Sequence, residues 1–396
     1  MKKLILFSIL TFGLLAISFS QNYGWTDINE NMPEQVNFND VHSIGNEVWI
    51  TGGSNKVYYS PDGGETFQIQ TLPENSGISS SIIMKTNQEG YVVTFFGDIV
   101  KTENGGTTWT ILHEPGGGLN SVHFPPNSTT GYACGSNGKI YSFTNSSITD
   151  LSVEGLTATL EAIFFPEDST EGKLCGDSSI RRWLNNTWNN LQIFDNTFGY
   201  TSIYFTDNLT GWVVGSQGKI FKTVDATIWN SQASPTTKGL NDIFFIDSLE
   251  GWAAGSGVLL HTVDGGLNWT EELANQTVGM ELRAIYFTSA HNGYVVGNDV
   301  VLKYGELSGI GEEKQSIEFD LFPNPVKDKI QIICVDFKTE NGIIEILSLD
   351  GKKILEMEIE TGLVNIELDL NNLKSGMYFC KLSTNKKSST KKFIIE

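Results

Sequence analysis

The sequence predicts an all-β protein, a seven-bladed β-propeller closed by its N-terminal strand and followed by a small C-terminal β-sandwich. A β-rich phrase returns seven times at intervals of 40 to 42 residues, and short apolar runs between Gly-containing turns follow each copy. This period is typical of propeller blades. The seventh copy lacks a fourth strand, and the N-terminus offers a matching one, which predicts ring closure.

Each copy of the phrase is aligned on one apolar residue of the innermost strand. The seven aligned residues are Val41, Ile82, Val122, Ile163, Ile203, Ile243 and Ile285. Each phrase is the first of three or four short strands, and these strands are almost continuously apolar rather than alternating. Continuous apolar runs are typical of sheets that are packed on both faces, as blades in a ring are.

Closure is predicted from the two ends of the repeat region. After "VVLKYGEL" at 300–307 no fourth strand follows, whereas "YGWTDI" at 23–28 resembles the fourth strands "TTWTIL" and "LNWTEE" of other copies. We therefore expect the N-terminal strand to complete blade seven. Closing the ring removes open sheet edges that would promote aggregation.

Three copies contain the turn pattern Ser/Thr-x-Asp/Asn-x-Gly-x-Thr/Asn-aromatic, known as the Asp box or BNR repeat. Its glycine allows a positive φ, and its carboxylate or amide can bond the amides of its own turn. Because the turn is repeated and peripheral, we interpret it as structural rather than catalytic. The residues are Ser60, Asp62, Gly64, Thr66 and Phe67; Thr102, Asn104, Gly106, Thr108 and Trp109; and Thr262, Asp264, Gly266 and Trp269.

Two families share features with the repeats. The phrases "GWVVGSQGKIFKTVD" at 211–225 and "GWAAGSGVLLHTVDGGLNW" at 251–269 resemble the propellers of photosystem II assembly and stability factors, and this resemblance implies the fold. Asp boxes also mark sialidases, which hold their substrate with three convergent arginines. Here Arg181 and Arg182 are neighbours on one strand and must face opposite ways, so that activity is not expected.

The N-terminus and the charge indicate where the protein acts. Residues 1–20 have two lysines followed by an apolar run, which is typical of a secretory signal peptide. The propeller is predicted to span 21–304, and no later stretch is apolar enough to span a membrane. The formal net charge of −20 argues against nucleic acid as a partner.

The last eighty residues form a second predicted module, 319–396, after a polar linker at 305–318. Its motifs resemble the C-terminal sorting domain of the type IX secretion system of Bacteroidota. The resemblance implies that this machinery is a partner, and that the protein is secreted or exposed on the outer cell surface after Sec export and signal-peptide removal. Pairing of Cys334 with Cys380 stays open. The motif residues are Pro323, Asn324, Pro325, Gly351, Gly376 and Tyr378.

One polar position suggests where a ligand binds. The residue two before each aligned apolar residue opens an innermost strand near one mouth of the central channel, and all seven are polar. We call them the start ring, and we expect a small ligand or a sugar there. The ring comprises Asn39, Ser80, Asn120, Glu161, Thr201, Asn241 and Arg283.

The sequence favours a non-catalytic binding or scaffold module for an extracellular protein or glycan. The alternative is a polysaccharide hydrolase or lyase, for which carboxylates such as Glu161, Asp177 and Asp242 would have to converge; a close pair with a raised pKa would favour it. His42 and His123 share a register with apolar residues of other blades and are expected in the core. No metal or other cofactor is predicted.

Overall fold

The structure is a computed structural model of the chain. It describes residues 23–166, 171–184, 187–193, 198–273, 276–306, 317, 319–334, 341–348, 352–359, 365–384 and 388–396. The predicted signal peptide lies outside these residues. Within them the chain is all-β and divides into two compact units, 1–306 and 307–396.

The first unit is a propeller whose described strands form seven four-stranded antiparallel sheets. Blades one to three contain β2 (Phe38–Ile44), β3 (Glu47–Gly52), β4 (Lys56–Ser60) and β5 (Gln68–Thr71); β6 (Ser79–Met84), β7 (Gly90–Thr94), β8 (Ile99–Thr102) and β9 (Thr110–His113); and β10 (Leu119–His123), β11 (Gly131–Gly135), β12 (Ile140–Phe143) and β13 (Ile148–Asp150).

The next three sheets repeat this order along the chain. Blades four to six contain β14 (Ala162–Phe164), β15 (Gly172–Gly176), β16 (Ser179–Leu184) and β17 (Thr187–Ile193); β18 (Tyr200–Phe205), β19 (Gly211–Gly215), β20 (Ile220–Thr223) and β21 (Asn230–Gln232); and β22 (Leu240–Phe245), β23 (Gly251–Gly255), β24 (Val258–Thr262) and β25 (Thr270–Glu272).

Blade seven closes the ring as the sequence predicted. Its own strands are β26 (Leu282–Ser289), β27 (Asn292–Gly297) and β28 (Val300–Glu306), and the fourth is the N-terminal β1 (Tyr23–Asp27). β1 pairs with β28 from Tyr23 opposite Glu306 to Asp27 opposite Leu302. The indole Nε1–H of Trp25 donates to Glu272 Oε2 at 2.6 Å, which ties the closing strand to blade six.

Apolar side chains fill the space between neighbouring blades. Between blades five and six, for example, the ring of Trp212 stacks on Phe245 at a centroid distance of 3.6 Å, and both side chains are buried. Each large aromatic side chain contributes roughly 2–3 kcal/mol on burial. In the described residues the helices are the 3-10 turns Asn29–Asn31, Ser136–Gly138 and Ser216–Gly218, none long or apolar enough to cross a bilayer.

Antiparallel pairing gives the propeller two distinct faces. Innermost strands begin at one face, which also carries the second-to-third turns; we call it the start face. First-to-second turns and Asp boxes lie at the other, the Asp-box face. In blade six, for instance, the Gly265 amide of the Asp box donates to Leu249 O of the first turn at 2.7 Å.

The second unit contains two antiparallel sheets that share one apolar core. The first has the order β29-β30-β33 and the second β32-β31-β34-β35. Cys134, Cys175 and Cys380 are free, buried thiols, and burial raises the pKa of Cys380 to about 12. The strands are β29 (Phe319–Phe322), β30 (Lys329–Cys334), β31 (Gly342–Ser348), β32 (Lys353–Ile359), β33 (Asn365–Asp369), β34 (Gly376–Ser383) and β35 (Ser388–Ile395).

The unit boundaries lie slightly inside the predicted linker, 305–318. β28 continues to Glu306 because Gly305 and Glu306 still pair with β1. At the other end, Ile317 is buried in the core of the second unit. The interval between them, 307–316, lies outside the described residues.

Candidate functional site

Start-ring residues coincide with an irregularity in the innermost strands. In six blades the strand carries a β-bulge at the ring position; blade four, where Glu161 precedes β14, is the exception. A bulge turns a side chain out of the regular alternation of the strand. The bulged side chains therefore reach sideways towards the next blade.

Hydrogen bonds connect the start ring from blade to blade. In the described residues, five ring side chains donate to a backbone carbonyl at the beginning of the next innermost strand, and Arg283 of blade seven donates to Asn39 Oδ1 of blade one. The donor-to-carbonyl bonds are Asn39 to Ser79 (2.8 Å), Ser80 to Leu119 (2.6 Å), Asn120 to Leu160 (3.0 Å), Thr201 to Leu240 (2.6 Å) and Asn241 to Leu282 (2.7 Å). These polar groups thus hold the blades together.

Glu161 is the ring member that does not follow this pattern in the described residues. Its half-buried carboxylate instead accepts a bond from Asn120 Nδ2 at 3.3 Å. Burial, and then the negative charge of the exposed Asp177, raise the pKa of Glu161. Blade four therefore holds a pair of interacting carboxylates on the start face.

A second set of inter-blade bonds lies one residue further into the channel. Asp40 Oδ2 accepts the Ile82 amide at 2.8 Å, and Asp242 Oδ2 accepts the Ile285 amide at 2.9 Å. Ser202 donates to Asp242 Oδ1 at 2.7 Å. Because adjacent innermost strands do not form a ladder, these side chains satisfy strand amides that would otherwise lack partners.

The two aspartates have pKa values that are unusually high for carboxyl groups. Burial raises the pKa of Asp40 to about 7, despite the bond from the Ile82 amide, and the charge of Asp242 adds to the rise. Burial likewise raises the pKa of Asp242 to about 6. Near neutral pH the channel therefore carries a partial and titratable negative charge.

Aromatic side chains line the channel at the next register, and we call this set the aromatic belt. Neighbouring ring centroids lie 4.4 to 5.2 Å apart from His123 through Phe164, Tyr204, Phe244 and Tyr286 to His42, and Ile83 fills the remaining position. The expectation that both histidines are core residues is therefore corrected: they line a cavity of about 300 Å³ together with Asp40 and Asp242.

Both histidines of the belt are neutral at physiological pH. Burial lowers the pKa of His42 to about 3, helped by repulsion from His123, and lowers the pKa of His123 to about 4. His123 Nε2 lies 2.9 Å from Phe165 O. His42 Nδ1 is buried and has no hydrogen-bond partner among the described residues.

The belt opens onto the Asp-box face through a wider mouth. A cavity of about 590 Å³ extends from His123, Phe164 and Tyr204 to the first turns of blades five and six, where it is lined by Asp207 and Asp247. Their carboxylates accept turn amides, as from Leu209 and Leu249 to Oδ1 at 2.7 Å. The mouth is thus acidic at its rim and aromatic inside.

Asp-box side chains bond within their own turns. Asp62 Oδ1 accepts the Thr66 amide at 2.8 Å, Asp62 Oδ2 accepts the Thr66 hydroxyl at 2.7 Å, and Ser60 Oγ accepts the Gly64 amide at 2.7 Å. Gly64 has φ of +94°, which favours glycine. Phe67 is buried beneath the turn.

The other two Asp boxes repeat this arrangement. Asn104 Oδ1 accepts the Thr108 amide at 2.8 Å and Asp264 Oδ1 the Asn268 amide at 2.9 Å, while Thr102 and Thr262 each accept the amide of the box glycine, Gly106 or Gly266. Trp109 and Trp269 are buried. Box carbonyls also accept bonds from the preceding blade, as from Trp212 Nε1 to Gly265 O at 3.2 Å.

Motif residues of the second unit hold its final strand in place. Asn324, between Pro323 and Pro325, accepts the Ile394 amide at 3.0 Å and donates to Lys392 O at 3.2 Å. Tyr378 stacks against Phe393 with ring centroids 5.9 Å apart, and Gly376 pairs with Ile395. Gly351 lies outside the described residues.

Comparisons with known proteins agree with both units. Residues 320–396 match the family model of the secretion system C-terminal sorting domain, and residues 226–305 match that of the photosynthesis system II assembly factor YCF48. The resemblance seen in the sequence is confirmed. The sorting-domain match supports export through the type IX system to the cell surface or beyond. No curated protein sequence matches the chain.

Solved structures extend the similarity to the whole propeller. YCF48 from Cyanidioschyzon merolae has 19% sequence identity and a TM-score of 0.58, with 72% of this chain and 99% of that chain covered. A structure titled YCF48 bound to D1 peptide has 21% identity, the same TM-score, and 72% and 96% coverage. At this identity the similarity shows the YCF48-like fold.

Sequence reasoning missed the aromatic belt and the role of Asp40. Both can be located from the repeat alignment: Asp40 stands immediately before the aligned apolar residue of its blade, and each belt residue stands immediately after it. From the sequence, His42 and His123 resemble core residues because the same position is aliphatic or aromatic in the other blades. The signal that distinguishes a channel wall is the neighbouring position, which is Asp, Ser or Ala in every blade.

Proposed function

We propose that the propeller is a non-catalytic binding module that engages an extracellular protein through its Asp-box face. Export would use the N-terminal signal peptide, which is then removed, and the type IX machinery acting on residues 319–396. The observation that carries the proposal is a group of apolar side chains on the turns of blades five and six.

These side chains are large and unusually exposed for turn residues. Each exposes 56% to 74% of its surface, and all belong to first-to-second turns or Asp-box turns of adjacent blades. Apolar groups that cluster on one face are typical of protein interaction sites. They are Leu209, Val224, Ile228, Leu249, Val263 and Leu267; we call them the apolar turn patch.

A groove of about 330 Å³ lies between the two blades within this patch. Val224 and Leu267 line it together with Lys222 and Gln232. Such a groove can take an apolar side chain of a partner, while its polar groups fix the orientation. The YCF48 structure titled as bound to D1 peptide is a propeller of this fold that holds a peptide, which supports a peptide or protein as the kind of partner.

The sequence supplies a matched variant for testing the patch. Val263 and Leu267 occupy the two outward positions of the blade-six Asp box, where blade two has Glu103 and Thr107. V263E/L267T therefore gives the Asp box of blade six the same two outward residue types as the Asp box of blade two. F96S, on the start face, removes a comparably exposed ring as a control.

The experiment is capture of proteins from the cell envelope and culture medium by residues 21–396. A protein retained by the wild type and by F96S, but reduced about fivefold or more with V263E/L267T, supports the proposal. Equal capture by all three variants would contradict the patch. If the propeller retained a glycan rather than a protein, the apolar turn patch would not be the binding surface, and the proposal would be wrong on this point.

A second candidate, a polysaccharide hydrolase or lyase, is favoured by one observation. Glu161 has a raised pKa beside Asp177 on the start face, as a general acid paired with a second carboxylate would. The test is polymer length in a polysaccharide panel incubated with the wild type and with E161Q. Shortening by the wild type alone would replace the binding proposal with this one.

A further inference from the structure

We propose that the central channel binds an alkylammonium group, an amine on an unbranched carbon chain, which enters through the aromatic belt and lies between Asp40 and Asp242. The belt would hold the carbon chain and the carboxylates the charged nitrogen. The inference rests on the proposed function for one point: the amine is most simply a lysine side chain of the bound protein, and a free amine is the other source.

The cavity has the size and the lining for such a group. Its volume is about 300 Å³, and one wall is the arc of rings from His123 to His42. Aromatic rings attract cations through their quadrupoles, and a site walled by several rings is a known way of binding substituted ammonium groups. The methylene groups of the chain lose their water against the same rings.

The carboxylates lie beyond the belt, where the amine would end. Asp40 and Asp242 both line the cavity, and the Oδ2 atom by which each accepts an amide of the next blade has two lone pairs. His42 Nδ1 adds a buried acceptor without a described partner when the ring is protonated on Nε2. An ammonium group has three N–H donors, and these three side chains supply acceptors for them.

Charge along the route favours a cation. Asp207 and Asp247 stand at the outer mouth, and the propeller side of the chain carries most of the net charge of −20. The low pKa values of His42 and His123 keep the belt neutral. The described residues that line the two cavities include no lysine or arginine, so a cation is drawn inward towards the carboxylates.

The start face offers a much less suitable way in. There Arg283 places a positive charge at the ring and bonds Asn39. The ring side chains other than Arg283 and Glu161 are engaged with the next blade, as Asn241 is with Leu282 O. Entry from the Asp-box face also places the mouth of the route next to the apolar turn patch, since Leu209 and Leu249 follow Asp207 and Asp247 closely in the chain.

The lining suits an organic cation better than a metal ion. Calcium takes six to eight oxygen ligands at roughly 2.3–2.6 Å, whereas the belt supplies rings. The described residues contain no group of three or more His, Cys, Asp or Glu side chains placed to hold a metal ion. The rings of the aromatic belt can contact the apolar chain of an amine, and Asp40 and Asp242 can accept bonds from its charged end.

The test is titration calorimetry of residues 21–396 with n-pentylamine, beside 1-pentanol and calcium chloride. We expect saturable binding of the amine and at least about tenfold weaker binding of the neutral alcohol. Near pH 6 the bound cation should expel protons from Asp40 and Asp242, so the heat should depend on the buffer. Equal binding of pentanol, or full displacement of the amine by calcium, would overturn the proposal.

Two variants locate the site. D40N/D242N should abolish binding of the amine, and F244I should weaken it about tenfold, since Ile83 shows that isoleucine fits this register. F96S, which changes an exposed side chain on the start face outside the cavity, is the control and should bind the amine normally. Unchanged affinity in both D40N/D242N and F244I, with thermal unfolding showing that they fold, would contradict the site.

A peptide containing one lysine, compared with its norleucine counterpart, distinguishes the two sources. Tighter binding of the lysine peptide assigns the site to a protein partner, and binding of the free amine alone assigns it to a small metabolite. If partner capture depends on Val263 and Leu267 but no amine binds, this inference fails and the proposed function stands.

Discussion

The two ends of the central channel differ in what their side chains are used for. At the start face the polar ring bonds blade to blade, as Asn39 does with Ser79 O and Asn241 with Leu282 O. At the Asp-box face an aromatic wall leads to two carboxylates inside an open cavity. A ring of polar residues can therefore be structural, while residues that resemble core can line an open cavity.

The largest expected effect on stability at neutral pH concerns the start ring. N241A removes the bond to Leu282 O and the bond to Glu281 Oε1 at 2.8 Å, leaving a carbonyl unpaired between blades six and seven. We expect the free energy of unfolding to fall by about 1–3 kcal/mol. Urea unfolding measures this, and a variant as stable as the wild type would mean that the ring is not structural.

The titratable groups at the aromatic end should make the free energy of unfolding depend on pH. Asp40 and Asp242 have raised pKa values in the folded state, so their contribution to stability falls as pH rises from about 4 to 7. His42 and His123 have lowered pKa values, so their contribution rises with pH over about 4 to 6.5. In the wild type the two trends largely cancel.

Replacing both histidines separates these trends. H42Y/H123F uses residue types found at the same register in other blades. Relative to the wild type, the variant should gain stability at pH 4.5 compared with pH 7, by roughly 2–4 kcal/mol. Unfolding curves at both pH values measure the difference, and a difference that does not change with pH would show that the histidines do not resist protonation.

Glu161 should behave unlike its neighbours in the ring. E161Q keeps an oxygen for the bond from Asn120 and removes a carboxylate whose charged form is disfavoured by burial and by Asp177. We expect stability at pH 7 to change by less than about 0.5 kcal/mol or to rise slightly. A loss as large as that of N241A would place Glu161 among the structural ring residues.

The smallest effect on stability is expected for the apolar turn patch. V263E/L267T changes outward positions of an Asp box whose internal bonds, from the Thr262 hydroxyl and the Asn268 amide to Asp264 Oδ1, stay in place. The free energy of unfolding should change by less than about 0.5 kcal/mol. A larger loss in urea unfolding would mean that these side chains support the fold, and would weaken their use as a binding probe.

Much of the fold was predictable because the same pattern of strands and turns occurs seven times in the sequence. The blade count, the closing strand and the turn residues follow from spacing and from pairing rules that hold in every blade. The bulge at Asn39, Asn120 and Asn241 was not predictable, since it depends on how innermost strands meet across the ring. The cavity around Asp40 and Asp242 was missed because its wall residues look individually like core.

The most direct test of the contrast between the two ends is a crystal structure of residues 21–396 grown with n-pentylamine. We predict the amine inside the aromatic belt, with its nitrogen within hydrogen-bonding distance of Asp40 or Asp242, and the start-ring bonds unchanged. An amine bound among Asn39, Asn241 and Arg283, with those bonds broken, would contradict the account.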